Sequence, residues 1–176
     1  FAPIPEIQSI LPPLELRMGK NPNANGQNTK PLNLPDLTKY EFAIEKKGLK
    51  NASNMIEASK YIRDVMAMNP DSFRLMSPDE SVSNRLSSLF EVTQRAYIWP
   101  VPAGSEKIGP DGRVMEVLSE NLLMAWMQGY VLTGRHSFFV SYESFMMIVA
   151  SMVDQYIKFL SQKYRFEWRK PVPSLN

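Results

Sequence analysis

The sequence contains no cysteine. Disulfide frameworks, zinc sites of the CxxC kind and a cysteine nucleophile are therefore excluded, and the absence fits a reducing compartment. It contains a single histidine, His136, too few for a zinc site built on histidine and cysteine. It lacks a charge imbalance: 20 Lys and Arg stand against 18 Asp and Glu. That balance gives no electrostatic case for a nucleic acid or an anionic membrane as partner, and no basic run is interleaved with aromatics. No apolar stretch approaches about 18 residues, so no membrane span is expected. The opening Phe1-Ala-Pro-Ile-Pro has neither a basic n-region nor an apolar h-region, so it does not read as a signal peptide. A start on Phe1 rather than methionine reads as a processed or excised chain.

What is present is a core-forming composition, 44% hydrophobic over 176 residues, suited to one domain or a domain with a tail. Seven of the fourteen prolines lie within residues 1–36, and Asn21-Pro-Asn-Ala-Asn-Gly26 adds turn chemistry. Proline fixes φ and removes a donor, so residues 1–50 read as an extended linker lying across other surfaces. Asn54 to Asn69 is a helix candidate, capped by Asn51 or Ser53, with Met55, Ala58, Ile62, Val65 and Met66 on one stripe. Phe73 to Met76 reads as a short strand ended by Ser77-Pro-Asp, and Ser83 to Val92 as helix. Gly104 to Gly112 is turn-rich. Val114 to Leu118 is a strand followed at once by Ser119-Glu120, a helix-start signal. That helix would bury Leu122, Leu123, Trp126, Met127, Tyr130 and Val131, and Gly134 would end it. Phe138 to Val140 is a further strand. The clearest periodicity runs from Glu143 to Tyr164, through Phe145, Ile148, Val149, Met152, Tyr156, Phe159 and Leu160. The methionines and most aromatics fall on these stripes and are expected in the core. Strands alternating with helices predict an α/β fold with a mostly parallel sheet, completed in part by other segments, since few strands are visible.

Periodicity names no reaction. Glu120 is the strongest candidate from the residues alone. It sits where a strand turns into a helix, in the carboxyl-end crevice where open α/β sheets bind ligands, and could act as general acid or base. The plainer reading, a first-turn acid favoured by the helix dipole, has the greater weight on spacing alone. Arg135 and His136 follow a helix end and could face a site or be ordinary loop residues. Asp79, Glu80, Ser83 and Arg85 cluster after the first strand, where Ser83 reads as a cap and Arg85 as a solvated cation.

Several strings, in order, resemble the phosphoketolase family. They are Met18-Gly-Lys-Asn-Pro-Asn-Ala-Asn-Gly26, Leu34-Pro-Asp36, Phe73-Arg-Leu75, Pro78-Asp-Glu80, Ser83-Asn-Arg-Leu86, Phe90-Glu-Val-Thr93 and Asp111-Gly-Arg-Val-Met-Glu-Val-Leu-Ser-Glu120. Gly129-Tyr-Val-Leu-Thr-Gly-Arg-His136, Ser141-Tyr-Glu-Ser-Phe145, Trp168-Arg-Lys-Pro171 and Ser174-Leu-Asn176 follow. The likeness runs through nearly the whole chain from about Leu14.

The resemblance implies a thiamine-diphosphate (ThDP) enzyme of the transketolase type, a cytoplasmic homodimer with active sites between subunits. Such enzymes cleave xylulose 5-phosphate or fructose 6-phosphate with inorganic phosphate, giving acetyl phosphate, an aldose phosphate and water. Residues 1–50 would be the inter-domain linker and 51–176 the first part of a ThDP pyrimidine-binding domain. The rest of the longer chain would supply the diphosphate and Mg²⁺ site. By this likeness Glu120 matches the glutamate that hydrogen-bonds the aminopyrimidine ring and favours its imino tautomer. Tyr142 and Phe145 match aromatics beside that ring. Ser83, Arg85 and Arg165 match contacts to substrate phosphate, for which arginine's planar fork is suited. Asp79, Glu80 and His136 are expected close to the site. Two departures stand out: Asn121 where the family has histidine after Ser-Glu, and Tyr156 in place of histidine in the Ser151-Met-Val-Asp-Gln-Tyr156 string. They leave open a second reading, a divergent or truncated non-catalytic paralogue serving as an interaction domain.

Overall fold

The computed structural model describes residues 4–176 apart from Met18, Pro22, Ala24, Asn25, Gln27 and Trp168. The Met18–Gly26 and Trp168–Pro171 strings therefore lie partly outside the described residues. Four α-helices and five short strands follow one another as α1 (Pro5–Ile10), α2 (Asn54–Met68), β1 (Phe73–Ser77), β2 (Arg95–Ala96), β3 (Ile108–Gly109), β4 (Val114–Glu116), α3 (Glu120–Leu132), β5 (His136–Phe139) and α4 (Met146–Lys163). The strands form one sheet in the order β3-β2-β4-β1-β5, and every pairing is parallel. The expected α/β fold with a parallel sheet flanked by helices is the fold observed.

Alternation along β1 builds two cores, because successive side chains of a strand point to opposite faces. Phe73 and Leu75 face α2 and pack with Ile62, Val65, Met66, Leu86, Leu89 and Val114. Met76 faces the other way and packs with Leu123, Met124 and Met127 of α3 and Val149 and Tyr156 of α4. Gly112 stands just before β4 because nothing larger fits: a Cβ there would lie 2.2 Å from the Arg95 carbonyl oxygen.

Some expectations are corrected. Residues 83–92 do not form one helix. Ser83 Oγ and Asn84 Nδ2 both donate to the Glu80 carbonyl, at 2.8 and 3.1 Å, in competition with helical bonding. Arg85 sits at φ 62°, and only a 3-10 turn, Ser87–Glu91, follows. On α3 the buried stripe is Leu123, Met124, Met127 and Val131, whereas Leu122 and Trp126 are 39% and 41% exposed. On α4 only Val149, Tyr156 and Lys163 are buried, and Phe145, Ile148 and Phe159 stand partly in solvent. α4 packs against α3, so one narrow stripe suffices. Nor are the methionines uniformly core: Met66, Met76, Met124 and Met127 are, but Met147 is 80% exposed. Ser53 is the N-cap residue of α2 yet gives no side-chain cap bond; the Asn54 side chain accepts from the Met55 amide at 2.9 Å instead.

The proline-rich segment is mostly exposed, but it is not extended throughout, since Pro5 opens the short helix α1. Its later part is docked. The Gly26 and Asn28 amides donate to the Leu132 and Thr133 carbonyls at 2.9 and 3.0 Å, satisfying the C-terminal end of α3. Asn33 and Asn69 exchange two bonds, at 3.0 and 2.8 Å. The Tyr40 hydroxyl donates to Asp64.

Two substitutions test the second core. Leu123→Ala should lower stability by about 2–5 kcal/mol, because the site is fully buried between sheet and helix. Tyr156→Phe removes a buried hydroxyl that has no hydrogen-bond partner among the described residues, so it should leave stability unchanged or raise it by about 1 kcal/mol. Urea unfolding midpoints check both, and a Tyr156→Phe protein as weakened as Leu123→Ala would contradict this packing.

Candidate functional site

Chemistry in an open parallel sheet gathers where neighbouring strands send the chain in opposite directions. Here that pair is β1 and β4. From β1 the chain turns towards β2 and β3; from β4 it crosses through α3 to β5 on the other side. In open sheets such a divergence places a crevice at the carboxyl ends, and here Asp79, Glu120 and Ser141 to Phe145 follow the ends of β1, β4 and β5.

One carboxylate ties this edge together. Glu116, the last residue of β4, accepts from the Ser81 amide at 2.9 Å with one oxygen and from Arg95 Nε at 2.7 Å with the other. It thereby ties the β1 loop to β4 and β2. Burial alone would push its pKa up, but the bonds from Ser81 and Arg95 outweigh burial and hold it below the usual range. The Ser77 hydroxyl, donating to the Asp79 carbonyl at 2.8 Å, closes the same loop from inside.

Across the crevice Glu120 opens α3, whose Ser119 side chain caps it by accepting from the Leu122 amide at 3.3 Å. The half-buried Asp79 feels both its burial and the charge of Glu120, and its carboxyl is pushed above the ordinary range, with the Tyr142 amide opposing the rise. Two carboxylates thus lie near enough for the charge of Glu120 to act on Asp79, and a site that raises a carboxyl in this way is a candidate functional site. Asp79 Oδ2 and Ser141 Oγ are buried without a hydrogen-bond partner among the described residues. Buried polar atoms are normally satisfied, so this edge has hydrogen-bonding capacity to spare. Tyr142 and Phe145 stand beside it, partly exposed, with ring centroids 6.3 Å apart in an edge-to-face arrangement.

The residues singled out from the sequence separate into groups. Asp79, Glu120, Tyr142 and Phe145 come together at the carboxyl edge. Glu80, Ser83 and Arg85 occupy the loop after β1, exposed to solvent. His136 lies at the other end, where it begins β5 opposite Phe73; its Nε2 is 2.9 Å from the Lys30 carbonyl, so it anchors the linker. Arg165 is exposed just beyond α4, whose 18 residues span about 27 Å from the Phe145 end. Neither converges on Glu120 within one copy. Asn121 is exposed on α3, and Tyr156 lies in the core between α3 and α4. Glu116, Arg95 and Ser141 were not singled out. Glu116 carried a readable signal, an acid inside the otherwise apolar strand run Val114–Leu118, but its two partners are distant in sequence.

The comparisons with known proteins converge. Residues 56–176 match the family model described as D-xylulose 5-phosphate/D-fructose 6-phosphate phosphoketolase. The chain is 47% identical over 174 residues to "Probable phosphoketolase 2" of Rhizobium meliloti, covering 97% of this chain and 22% of that protein. It is 44% identical over 176 residues to a "Probable phosphoketolase" of Nitrosospira multiformis, covering 98% of this chain and 22% of that protein. A "Xylulose-5-phosphate phosphoketolase" of Lactiplantibacillus pentosus is 44% identical over 174 residues, 97% of this chain and 22% of its own length. The chain thus spans about a fifth of the length of the curated relatives it matches.

Glu116→Gln should weaken the fold by about 1–3 kcal/mol at neutral pH, since it removes a charge-assisted acceptor from Arg95. A carboxylate whose folded pKa is depressed stabilises above its unfolded value and loses that contribution as pH falls through the folded one. The gap between Glu116→Gln and the parent should therefore narrow below about pH 4. Urea midpoints measured across that range check this, and a gap independent of pH would contradict the assigned interaction.

Proposed function

The chain belongs to the phosphoketolase family, and from that premise we propose that it is one part of a thiamine-diphosphate-dependent phosphoketolase. Residues 1–50 are the inter-domain linker and 51–176 the first part of the pyrimidine-binding domain. The intact enzyme cleaves D-xylulose 5-phosphate, D-fructose 6-phosphate or both with inorganic phosphate, releasing acetyl phosphate, an aldose phosphate and water. It acts in the cytoplasm as a homodimer, with Mg²⁺ and the cofactor's diphosphate held by parts of the protein outside this chain.

The observation that carries the reading is the carboxylate pair at the strand switch point, with unspent hydrogen-bonding atoms beside it. The groups at this edge suit an aminopyrimidine ring: Glu120 offers a carboxyl group, Asp79 Oδ2 and Ser141 Oγ have no partner among the described residues, and Tyr142 and Phe145 give apolar surface for a flat ring. When bound, ThDP supplies the nucleophilic carbon and the electron sink that sugar cleavage requires. The protein's part is to hold a proton at the right atom. Glu120 would donate or accept at a ring nitrogen, and burial together with the charge of Glu120 favours the protonated form of Asp79. Ser83 and Arg85, on the loop that Glu116 ties down, are the proposed contacts for substrate phosphate; Glu80 lies on the same loop. His136 and Arg165 enter no part of this cluster.

Glu120→Gln keeps size and removes the acid. In the full-length protein it should lower acetyl phosphate formation by about 100-fold or more while the protein stays folded by circular dichroism. Unchanged turnover would remove Glu120 from the mechanism. A parent protein that neither binds ThDP nor forms acetyl phosphate would favour the non-catalytic reading.

A further inference from the structure

The amino-terminal side of the sheet carries a second constellation. Arg74 of β1, Arg113 before β4 and Arg135 before β5 line one cleft of about 760 Å³ on the α3 face, together with Trp126 and Tyr130. The three guanidinium groups gather around Tyr130. Those of Arg74 and Arg135 lie 5.6 and 5.9 Å from its ring centroid, and Arg74 and Arg113 are near enough that their charges oppose each other. Among the described residues none of the three is within ion-pair distance of a carboxylate; Asp71 and Asp111 line the cleft without pairing.

Their own contacts leave capacity unused. Arg113 donates to the Met66 and Val92 carbonyls at 2.5 and 3.3 Å, which makes it partly structural. Arg74 hydrogen-bonds the Tyr130 side chain, and its other contacts are long, 3.4 Å to the Gly112 carbonyl and 3.5 Å to Met115 sulfur. Arg135 reaches Thr133 Oγ1 at 3.1 Å and Asn23 Oδ1 at 3.5 Å. Arg74 opposes the charge of Arg113 and Asp71 favours it; with three arginines against Asp71 and Asp111 the cleft stays cationic, and planar guanidinium forks match the oxygens of a tetrahedral anion. The volume lies within the range of small-molecule sites and exceeds what one phosphate ion needs.

We propose that Arg74, Arg113 and Arg135 form a binding site for a phosphoryl group, borne by inorganic phosphate or by a small phosphomonoester whose remainder lies against Trp126. The site is at the opposite end of the strands from Glu120, and its existence does not depend on the reaction proposed above.

The test is residue-resolved, so phosphate bound elsewhere does not enter. The full-length protein is treated with phenylglyoxal, alone and with millimolar inorganic phosphate or glycerol 3-phosphate, and arginine modification is read peptide by peptide by mass spectrometry. Arg74 and Arg135 should react in the free protein and be protected by the anion. Protection by both probes identifies the free ion as sufficient; protection by the ester alone identifies the ester. Arg135→Gln, which removes only the partly buried bond to Thr133, the contact with the Tyr130 ring and the exposed contact with Asn23, should leave the fold intact by thermal unfolding and weaken protection of Arg74 about tenfold, the worth of one charge-assisted bond. Two results would overturn the proposal: reaction that neither anion slows, or arginines unreactive without anion because another part of the protein fills the cleft.

Discussion

A single half-buried carboxylate organises the carboxyl edge of this sheet. Glu116 reaches the Ser81 amide on one side and Arg95 on the other, so β1, β2 and β4 are tied together at the end where the chain diverges. Short strands could not do this by their ladders alone: β4 has three residues and β2 two. Arg95 is further braced by the Phe90 ring, 4.3 Å from its guanidinium. With the β1 loop held, Asp79 lies near enough to feel the charge of Glu120 and the loop carrying Ser83 and Arg85 has a defined origin. The orientation of the crevice thus depends on an ion pair whose partners come from different strands.

That dependence explains what could be read in the sequence. Helices α2, α3 and α4 were legible because an apolar stripe with a 3.6-residue period is a local property, and β1 and β4 because each is a short apolar run bounded by turn residues. Glu120 was legible for the same reason, as an acid immediately after a strand and a serine cap. What local reading misjudged was how far each stripe is covered. Trp126, Phe145 and Ile148 have helical spacing, yet they stand partly in solvent because the described residues leave them only partly covered. β2 and β3, of two residues each, carry no pattern at all. They exist because Gly112 lets β2 and β4 approach closely. The Glu116 network was illegible because it is tertiary: its donors lie 35 and 21 residues away.

The Thr133–His136 stretch shows how one string can read as functional and prove architectural. It ends α3, where Gly134 takes φ 100° and packs against Thr29. It receives the linker through the Gly26, Asn28 and Lys30 backbone, and it delivers the chain into β5. The segment Pro171–Asn176 then runs beside β5, whose Phe139 amide donates to the Asn176 carbonyl at 2.8 Å, so an otherwise open sheet edge is partly covered. The proline-rich linker is thus fastened at the end remote from Glu120, whereas Asn176 is held at the carboxyl end of β5.

Membership of the phosphoketolase family and the geometry of the crevice together lead to one central claim: the carboxyl edge of this sheet is where a pyrimidine ring sits, with Glu120 at its nitrogen. The most direct measurement is a structure of the full-length protein determined with ThDP and Mg²⁺. The account predicts the ring in the crevice between β1, β4 and β5, the Glu120 carboxyl within about 3 Å of a ring nitrogen, and Tyr142 or Phe145 against its face. A cofactor ring seated elsewhere, with Glu120 facing solvent, would contradict it.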